Sequence, residues 1–250
     1  MDLFERTSRR VVPTEAGESV AARARRILAD VEAAREEVDE LRGVLRGRIW
    51  IGALLPAGRI DVPALVARFT NSHPGIEVRL REGIAAEMLA YLAEDEVDAA
   101  FAMLAGPPPD DLVVERLSED EIIASFAPGR APGRGAVRAA DLAPYPIVAP
   151  RSGSAAMQKL EEFFARQGEP LHVSLESGDP FLLRCLASGG FGAAIIPRSL
   201  TLREGPPIEV RSLRPAVRLP VALLWREGRH MSPAARAFID FARREAGAGG

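Results

Sequence analysis

The amino-acid sequence predicts an α/β protein in which one long N-terminal helix precedes a bilobal body of two doubly wound units. Three observations carry that prediction. Between residues 14 and 45, apolar side chains recur at alternating steps of four and three: Val20, Ala24, Ile27, Val31, Ala34, Val38, Leu41 and Leu45. That is the heptad rhythm of a helix with one continuous seam. From 47 to 104, short apolar strands alternate with stretches of helical spacing, the pattern of a mainly parallel sheet flanked by helices. After a break rich in glycine, proline and arginine at 128–135, the same alternation begins again, as expected where one unit gives way to the next.

The helix comes first. Thr14 is placed to cap it with a side-chain hydroxyl, and Glu15 and Glu18 sit where the helix dipole favours acids. No proline follows until Pro56, and Gly47 stands just past the expected end. At about 1.5 Å per residue, a helix over 14–45 is a rod on the order of 48 Å long. Most helices in globular proteins run only about three or four turns. A rod of this length cannot bury its seam within a small domain of its own, so the seam predicts pairing with a second copy. The alternative is a solvated helix lying on its own body.

Before the helix, Leu3 and Phe4 precede a cluster of Arg6, Arg9 and Arg10 around Thr7 and Ser8, and Val11 and Val12 follow. This reads as a short hairpin with a basic tip, able to neutralise phosphates or enter a minor groove, or as a solvated terminus. The net charge of −3 restricts any nucleic-acid contact to such a local patch. The 250 residues suffice for one or two domains with a core, and Cys185 is the single cysteine. No apolar run reaches the roughly 18 residues that span a bilayer, and no signal peptide opens the chain. The expectation is a cytoplasmic protein with no membrane partner.

In the body, 48–53 suits a strand through Ile49, Trp50 and Ile51, and 60–69 has helical spacing. Ile76, Val78 and Leu80 alternate as a strand, and Met88, Leu89 and Leu92 mark a helix face. Residues 97–104 read as a strand buried on both faces. Two further short strands are expected at 112–117 and 122–126. In the second unit, strands are expected at 146–149, 171–175 and 193–196. Helices fall at Met157, Leu160, Phe163 and Phe164, and again at 181–186. Strands at 208–213 and 219–225 and a final amphipathic helix from Ser232-Pro233 complete the chain, with disorder expected from Ala246.

Two such units make a cleft, and ligands of open α/β sheets gather beyond the carboxyl ends of the strands. There Ser152, Gly153 and Ser154 offer hydroxyls and free N–H groups to a carboxylate, or serve simply as a helix cap. Leu55, Pro56, Ala57 and Gly58 are expected to form a facing apolar wall, with Met103, Leu104, Gly178 and Asp179 at the rim. Asp179 also suits a cap for the helix at Phe181, and Arg59 and Arg151 suit either an anion or solvent. No catalytic, metal or cofactor site is expected. His73, His172 and His230 lack partners at metal-ligand spacing, Ser154 lacks the Gly-x-Ser-x-Gly setting, and Gly189, Gly190 and Gly192 follow a helix rather than a strand.

Several stretches resemble one family in the same order along the chain. Leu3-Phe4-Glu5-Arg6, Arg10-Val11 and Thr14-Glu15-Ala16-Gly17 resemble the wing and linker-helix start of LysR-type transcriptional regulators. Phe69 with 73–78, Arg81-Glu82-Gly83, 97–100 and 186–192 running on to Ile196-Pro197 resemble their effector-binding domain. The resemblance implies a type II periplasmic-binding-protein-like fold with its ligand between two lobes and the last strand and helix returning to the first lobe. It implies residues 1–13 as a wing, with Arg6, Arg9 and Arg10 toward DNA, and 14–46 as the dimerising linker. Residues 47–250 would be the effector-binding domain, lobe I about 47–121 with 222–246 and lobe II about 122–221. The expected function is an effector-sensing transcription regulator, a homodimer or a tetramer of two paired dimers, taking a small carboxylate-bearing effector. The alternatives are an effector-binding protein without DNA-binding activity and an enzyme on the same bilobal fold. In the family three helices, including the recognition helix, precede the wing, and here two residues precede Leu3. The chain is therefore expected to lack that helix, through truncation or a displaced start, and DNA enters as a partner only with it. Pro13 replaces the usual leucine, Asp95 stands at a usual glycine, and 129–132 lacks the usual His-Pro-Leu.

Overall fold

The computed structural model describes residues 2–6, 10–41, 45–53, 58, 60–228 and 231–248. The chain opens with an antiparallel hairpin, β1 (Phe4–Arg6) against β2 (Val11–Pro13). Its tip at 7–9, with Arg9, lies outside the described residues, as does the side chain of Arg6; Arg10 is exposed beside β2. Helix α1 (Glu15–Leu41) follows. Thr14 caps it as the sequence predicts, its Oγ1 accepting from the Gly17 N–H at 3.1 Å. The same residue ties helix to hairpin, since its N–H and hydroxyl donate to the Leu3 and Asp2 carbonyls at 3.0 and 2.8 Å. A Cβ on Gly17 would stand 2.0 Å from the Leu3 oxygen, so only glycine lets the two approach.

Helix α1 has 27 residues, roughly 40 Å, and ends before Leu45. Val20, Ile27, Val31 and Val38 are 46–63% exposed, and Ala24 and Ala34 are exposed with them. The seam therefore lies open on the single chain. The side chain of Leu41 lies outside the described residues. Leu45 departs from the expected seam: it sits beyond the helix and packs, half-buried, on the core of the body.

The body is one eight-stranded mixed sheet in the order β4-β3-β5-β10-β6-β9-β7-β8. The first unit is β3 (Gly47–Ala53), α2 (Val62–Ser72), β4 (Ile76–Glu82), α3 (Ala85–Ala93) and β5 (Ala99–Met103), with parallel strands in the order β4-β3-β5. The second is β7 (Ile147–Pro150), α5 (Ala155–Ala165), β8 (Val173–Ser177), α6 (Pro180–Ser188) and β9 (Ala193–Pro197). Its strands are also parallel, in the matching order β8-β7-β9. Between the units run β6 (Leu112–Phe126) and β10 (Glu209–Arg226), antiparallel to each other. Each replaces two short strands expected from the sequence. The polar residues 118–121 and the segment 214–218, which read as breaks, are the middles of strands that cross from one unit to the other. The ladder between them is interrupted, because Ser212 pairs with Ile123 and the next pair is Val217 with Ile122. A four-residue helix α4 (Ala139–Leu142) and the 3₁₀ turn Arg198–Leu202 were not foreseen.

Helix caps follow from sequence. Asp61, Ser154 and Asp179 accept from the N–H groups of Ala64, Met157 and Phe181, satisfying donors that a helix start otherwise leaves unpaired. The last helix, α7 (Pro233–Ala248), returns to the first unit, where Phe238 meets Phe69 and Phe101 edge-on at 5.1 and 6.3 Å. It continues through Ala246, where the sequence suggested disorder.

Candidate functional site

The carboxyl ends of β5, β7, β8 and β9 converge where the two units face each other. A cavity of about 50 Å³ lies there. Ile84, Ala85 and Met103 line it from the first unit, and Arg151, Ser154, Gly178, Leu183 and Pro197 from the second. Among the described residues its polar side chains thus come from the second unit, while both units supply apolar ones.

The turn after β7 shapes the polar side. Ser154 N–H donates to the Arg151 carbonyl at 3.1 Å, and Gly153 holds φ +80° within the turn. That conformation suits glycine. Ser154 is buried at 7% exposure and its hydroxyl is engaged in the cap of α5. Ser152 turns away from the cavity. Its N–H and hydroxyl both donate to Glu176 Oε2, at 2.9 and 2.7 Å, and these bonds hold the Glu176 carboxyl below its ordinary range. The carboxylate site expected at Ser152 is therefore already filled by a carboxylate of the chain itself.

Arg151 points the other way. Its Nη2 donates to Glu87 Oε2 at 2.8 Å, a bond from the second unit to the first. Glu87 Oε2 also accepts the Ile84 N–H at 2.8 Å. The Arg151 Nε–H is buried and makes no hydrogen bond, though a donor in that position is costly to leave unmade. The ion pair is 43% and 40% exposed at its two side chains, so it contributes at most about 1 kcal/mol. It joins the two units across the cleft.

Of the other predicted residues, Met103 and Gly178 line the cavity. Leu104 packs instead with Met88 and Leu92 beneath α3. Asp179 caps α6 from an exposed position. Gly58 is buried with φ +59°, and a Cβ there would meet Val221 Cγ2 at 2.7 Å and Ser118 Oγ at 3.1 Å. Leu55, Pro56, Ala57 and Arg59 lie outside the described residues. Sequence reasoning missed Glu87 and Glu176. Each reaches its partner across a long sequence separation, and no local spacing announces such a pair.

A second recess, about 1070 Å³ and open to solvent, lies between the hairpin and α1, lined by Asp2, Phe4, Glu5, Glu15 and Val20 among others. Its three carboxylates disfavour an anion. Among the described residues no group of three or more His, Cys, Asp or Glu could hold a metal ion, and no helix is long and apolar enough to cross a membrane.

Comparison with known proteins fits this architecture. The family model described as the LysR substrate binding domain matches residues 42–247. The chain is similar to the RuBisCO operon transcriptional regulator of Allochromatium vinosum, 30% identical over 258 residues that span 98% of this chain and 82% of that protein. Its fold is that of the effector binding domain of QuiR in complex with shikimate, with TM-score 0.69, 22% identity and coverage of 81% of this chain and 98% of that one. Full-length CbnR complexed with its target DNA matches at TM-score 0.62 and 21% identity, over 98% of this chain and 84% of that one. A rod with an open apolar seam, leading into two mirrored α/β units around a cleft, is thus accompanied by a family match over most of the chain: it belongs to the LysR-type transcriptional regulators.

Proposed function

We propose that this chain senses a small carboxylate-bearing effector in the cleft between its two units, with Arg151 as the anchor for the carboxylate. The observation that carries this reading is the Arg151 Nε–H, buried at the cavity without an acceptor while Nη2 is held by a half-exposed glutamate. An incoming carboxylate would engage a guanidinium at two points and compete with Glu87 for it. The QuiR domain, of the same fold, was solved with shikimate, a carboxylate. Ligand pockets run upward from about 300 Å³, so the cleft of about 50 Å³ is a closed form that opens to admit its effector.

In this reading residues 1–13 are a wing, 14–46 a linker and 47–250 the sensor. Its lobes are about 47–121 with 222–246 and about 122–221, and joining Leu45 to the sensor core refines that division. The seam of α1 pairs two copies, and the protein works in the cytoplasm. The exposed seam residues support pairing, and the CbnR complex with target DNA supports a DNA-binding role for the assembled regulator. Effector binding would bias the angle between the units and thereby the carried DNA-reading parts.

Two measurements test this. Shikimate and a panel of small carboxylic acids, screened by thermal shift and followed by calorimetry, should give at least one stabilising acid. Its affinity should fall by roughly 10–100-fold in Arg151→Ala, about 1.4–2.7 kcal/mol; equal affinity in the variant would remove the anchor. Sedimentation should show a dimer that Ile27→Glu with Val31→Glu converts to a monomer, whereas a monomeric parent chain would count against the seam.

A further inference from the structure

The cleft carries few polar side chains, and what they have left to offer is of one kind. Among the described residues that line it, they are Arg151, Ser154 and Ser177. Ser154 Oγ already accepts from the Met157 N–H at 3.2 Å, and Ser177 Oγ from the Asp179 N–H at 3.0 Å. Each hydroxyl has its proton left to give, as the guanidinium has its Nε–H. Among the same described residues, no lining side chain is a carboxylate, an amide or an imidazole. Pro150, Pro180 and Pro197, which end β7, open α6 and end β9, bring apolar rings to the cavity and no N–H.

Ile84 stands beside these donors. Its Cδ1 lies 3.6 Å from the point that a Cβ on Gly153 would occupy, so it reaches across the cleft to the turn between Arg151 and Ser154. Its N–H donates to Glu87 Oε2, the oxygen that also accepts from Arg151 Nη2. The backbone of Ile84 is thus tied to the partner of the anchor, while its side chain lines the cavity. Met103, Leu183 and Ile195, all buried, line the same space. Glu87 itself is not among the lining residues.

We infer that the effector is a monocarboxylate with an apolar body, and that Ile84 selects against an ammonium or hydroxyl group on its α-carbon. This rests on the cleft being the effector site, with the carboxylate at Arg151. The carbon next to the carboxylate then lies against the Ile84 branch. An ammonium or hydroxyl there leaves water and meets no carboxylate or amide to accept from it. A body of alkyl or aryl carbon instead exchanges water for Ile84, Met103 and Leu183. Apolar pockets reject an added hydroxyl by up to about 100-fold, and burying an unpaired ammonium is costlier still.

Calorimetry on the full chain compares acids that differ only at the α-carbon: 4-methylpentanoate with 2-hydroxy-4-methylpentanoate and leucine, and 3-phenylpropanoate with phenyllactate and phenylalanine. In at least one set the plain acid should bind ~10-fold tighter or more than both counterparts. Ile84→Ser removes the apolar branch at the N-cap of α3, a position that serine suits, so circular dichroism should show the fold intact. The variant should weaken the plain acid and narrow the gap, and Ile84→Val, which keeps a branch, should retain it. Tighter binding of the amino acid in either set, with its ammonium on Glu87, overturns the inference, as does equal binding within both sets. A gap equally wide in Ile84→Ser overturns the role of Ile84. If Arg151→Ala weakens whichever acids bind, the cleft reading stands even where this one falls. Failure of every acid in both sets overturns this inference, and the cleft reading is then decided by the wider acid panel.

Discussion

The two units of the body have the same strand order and bring different side chains to the cleft. In each, the first strand lies between the second and third, and a helix follows each of the first two strands. Yet the first unit brings Ile84, Ala85 and Met103 to the cleft, and the second brings Arg151, Ser154 and Gly178. Topology alone puts the strand ends together; the residues after each strand decide which wall is apolar and which carries charge. Two glycines, one in each unit, also differ in what a side chain there would meet. In the first, a Cβ on Gly52 would come within 2.4 Å of Met88 Sδ, the end of a flexible side chain. In the second, a Cβ on Gly192 would come within 2.0 Å of the Pro146 carbonyl, which is fixed backbone.

That contrast is the easiest to break. Gly192→Ala should cost about 3 kcal/mol or more by forcing β9 from β7, and Gly52→Ala about 1 kcal/mol, because methionine can repack. Urea denaturation monitored by circular dichroism measures both, and equal losses would mean that the Pro146 backbone yields as readily as the Met88 side chain.

A smaller effect is expected where the units meet. Burial holds the Asp120 carboxyl above its ordinary range, against the opposing bonds from Ser199. Below about pH 4 the acid is protonated in folded and unfolded chains alike. As pH rises through the elevated folded-state value, the folded chain acquires a buried charge and loses stability. Asn never makes that transition. Asp120→Asn should therefore raise stability by about 1–2 kcal/mol at pH 7, with the gain shrinking toward pH 4 in thermal melts. A gain independent of pH would point to packing instead.

The smallest effect sharpens the division between the walls. Glu87→Gln removes a half-exposed ion-pair partner of Arg151 and should change stability by less than about 1 kcal/mol. It should nonetheless raise affinity for a carboxylate effector several-fold, since the one charged group of the apolar wall that competes for Arg151 is gone. Weaker binding in the variant would show that Glu87 positions Arg151 rather than competing with the ligand.

Much of the fold was readable because local rules and tertiary context agree. Thr14, Ser154 and Asp179 stand at helix starts and cap them. The glycines of 189–192 have a backbone reason as well: Gly190 holds φ +82° where α6 ends, and Gly192 leaves room for Pro146. Asp95, at a usual glycine, adopts φ +57° and pairs with Arg226 at 3.2 Å, so its side chain offsets part of the cost of that conformation. What could not be read was continuity. The run Ser118-Glu119-Asp120-Glu121 looks like a solvated link, because polarity in a sequence does not say whether a strand passes between two units. The cleft was legible as a place but not as a set of contacts. Ser152 was credible as an anion site until Glu176 filled it, and Arg151 gained its meaning from a residue on the other unit.

Because β6 and β10 are shared, neither half of the body hangs from a loose tether. Tilting one half against the other must shear or twist a two-stranded ribbon, and the gap in its pairing between Ser212 and Val217 is where it resists least. If the cleft opens to an effector as proposed, that opening is a rotation about this shared ribbon rather than the swing of two separate bodies.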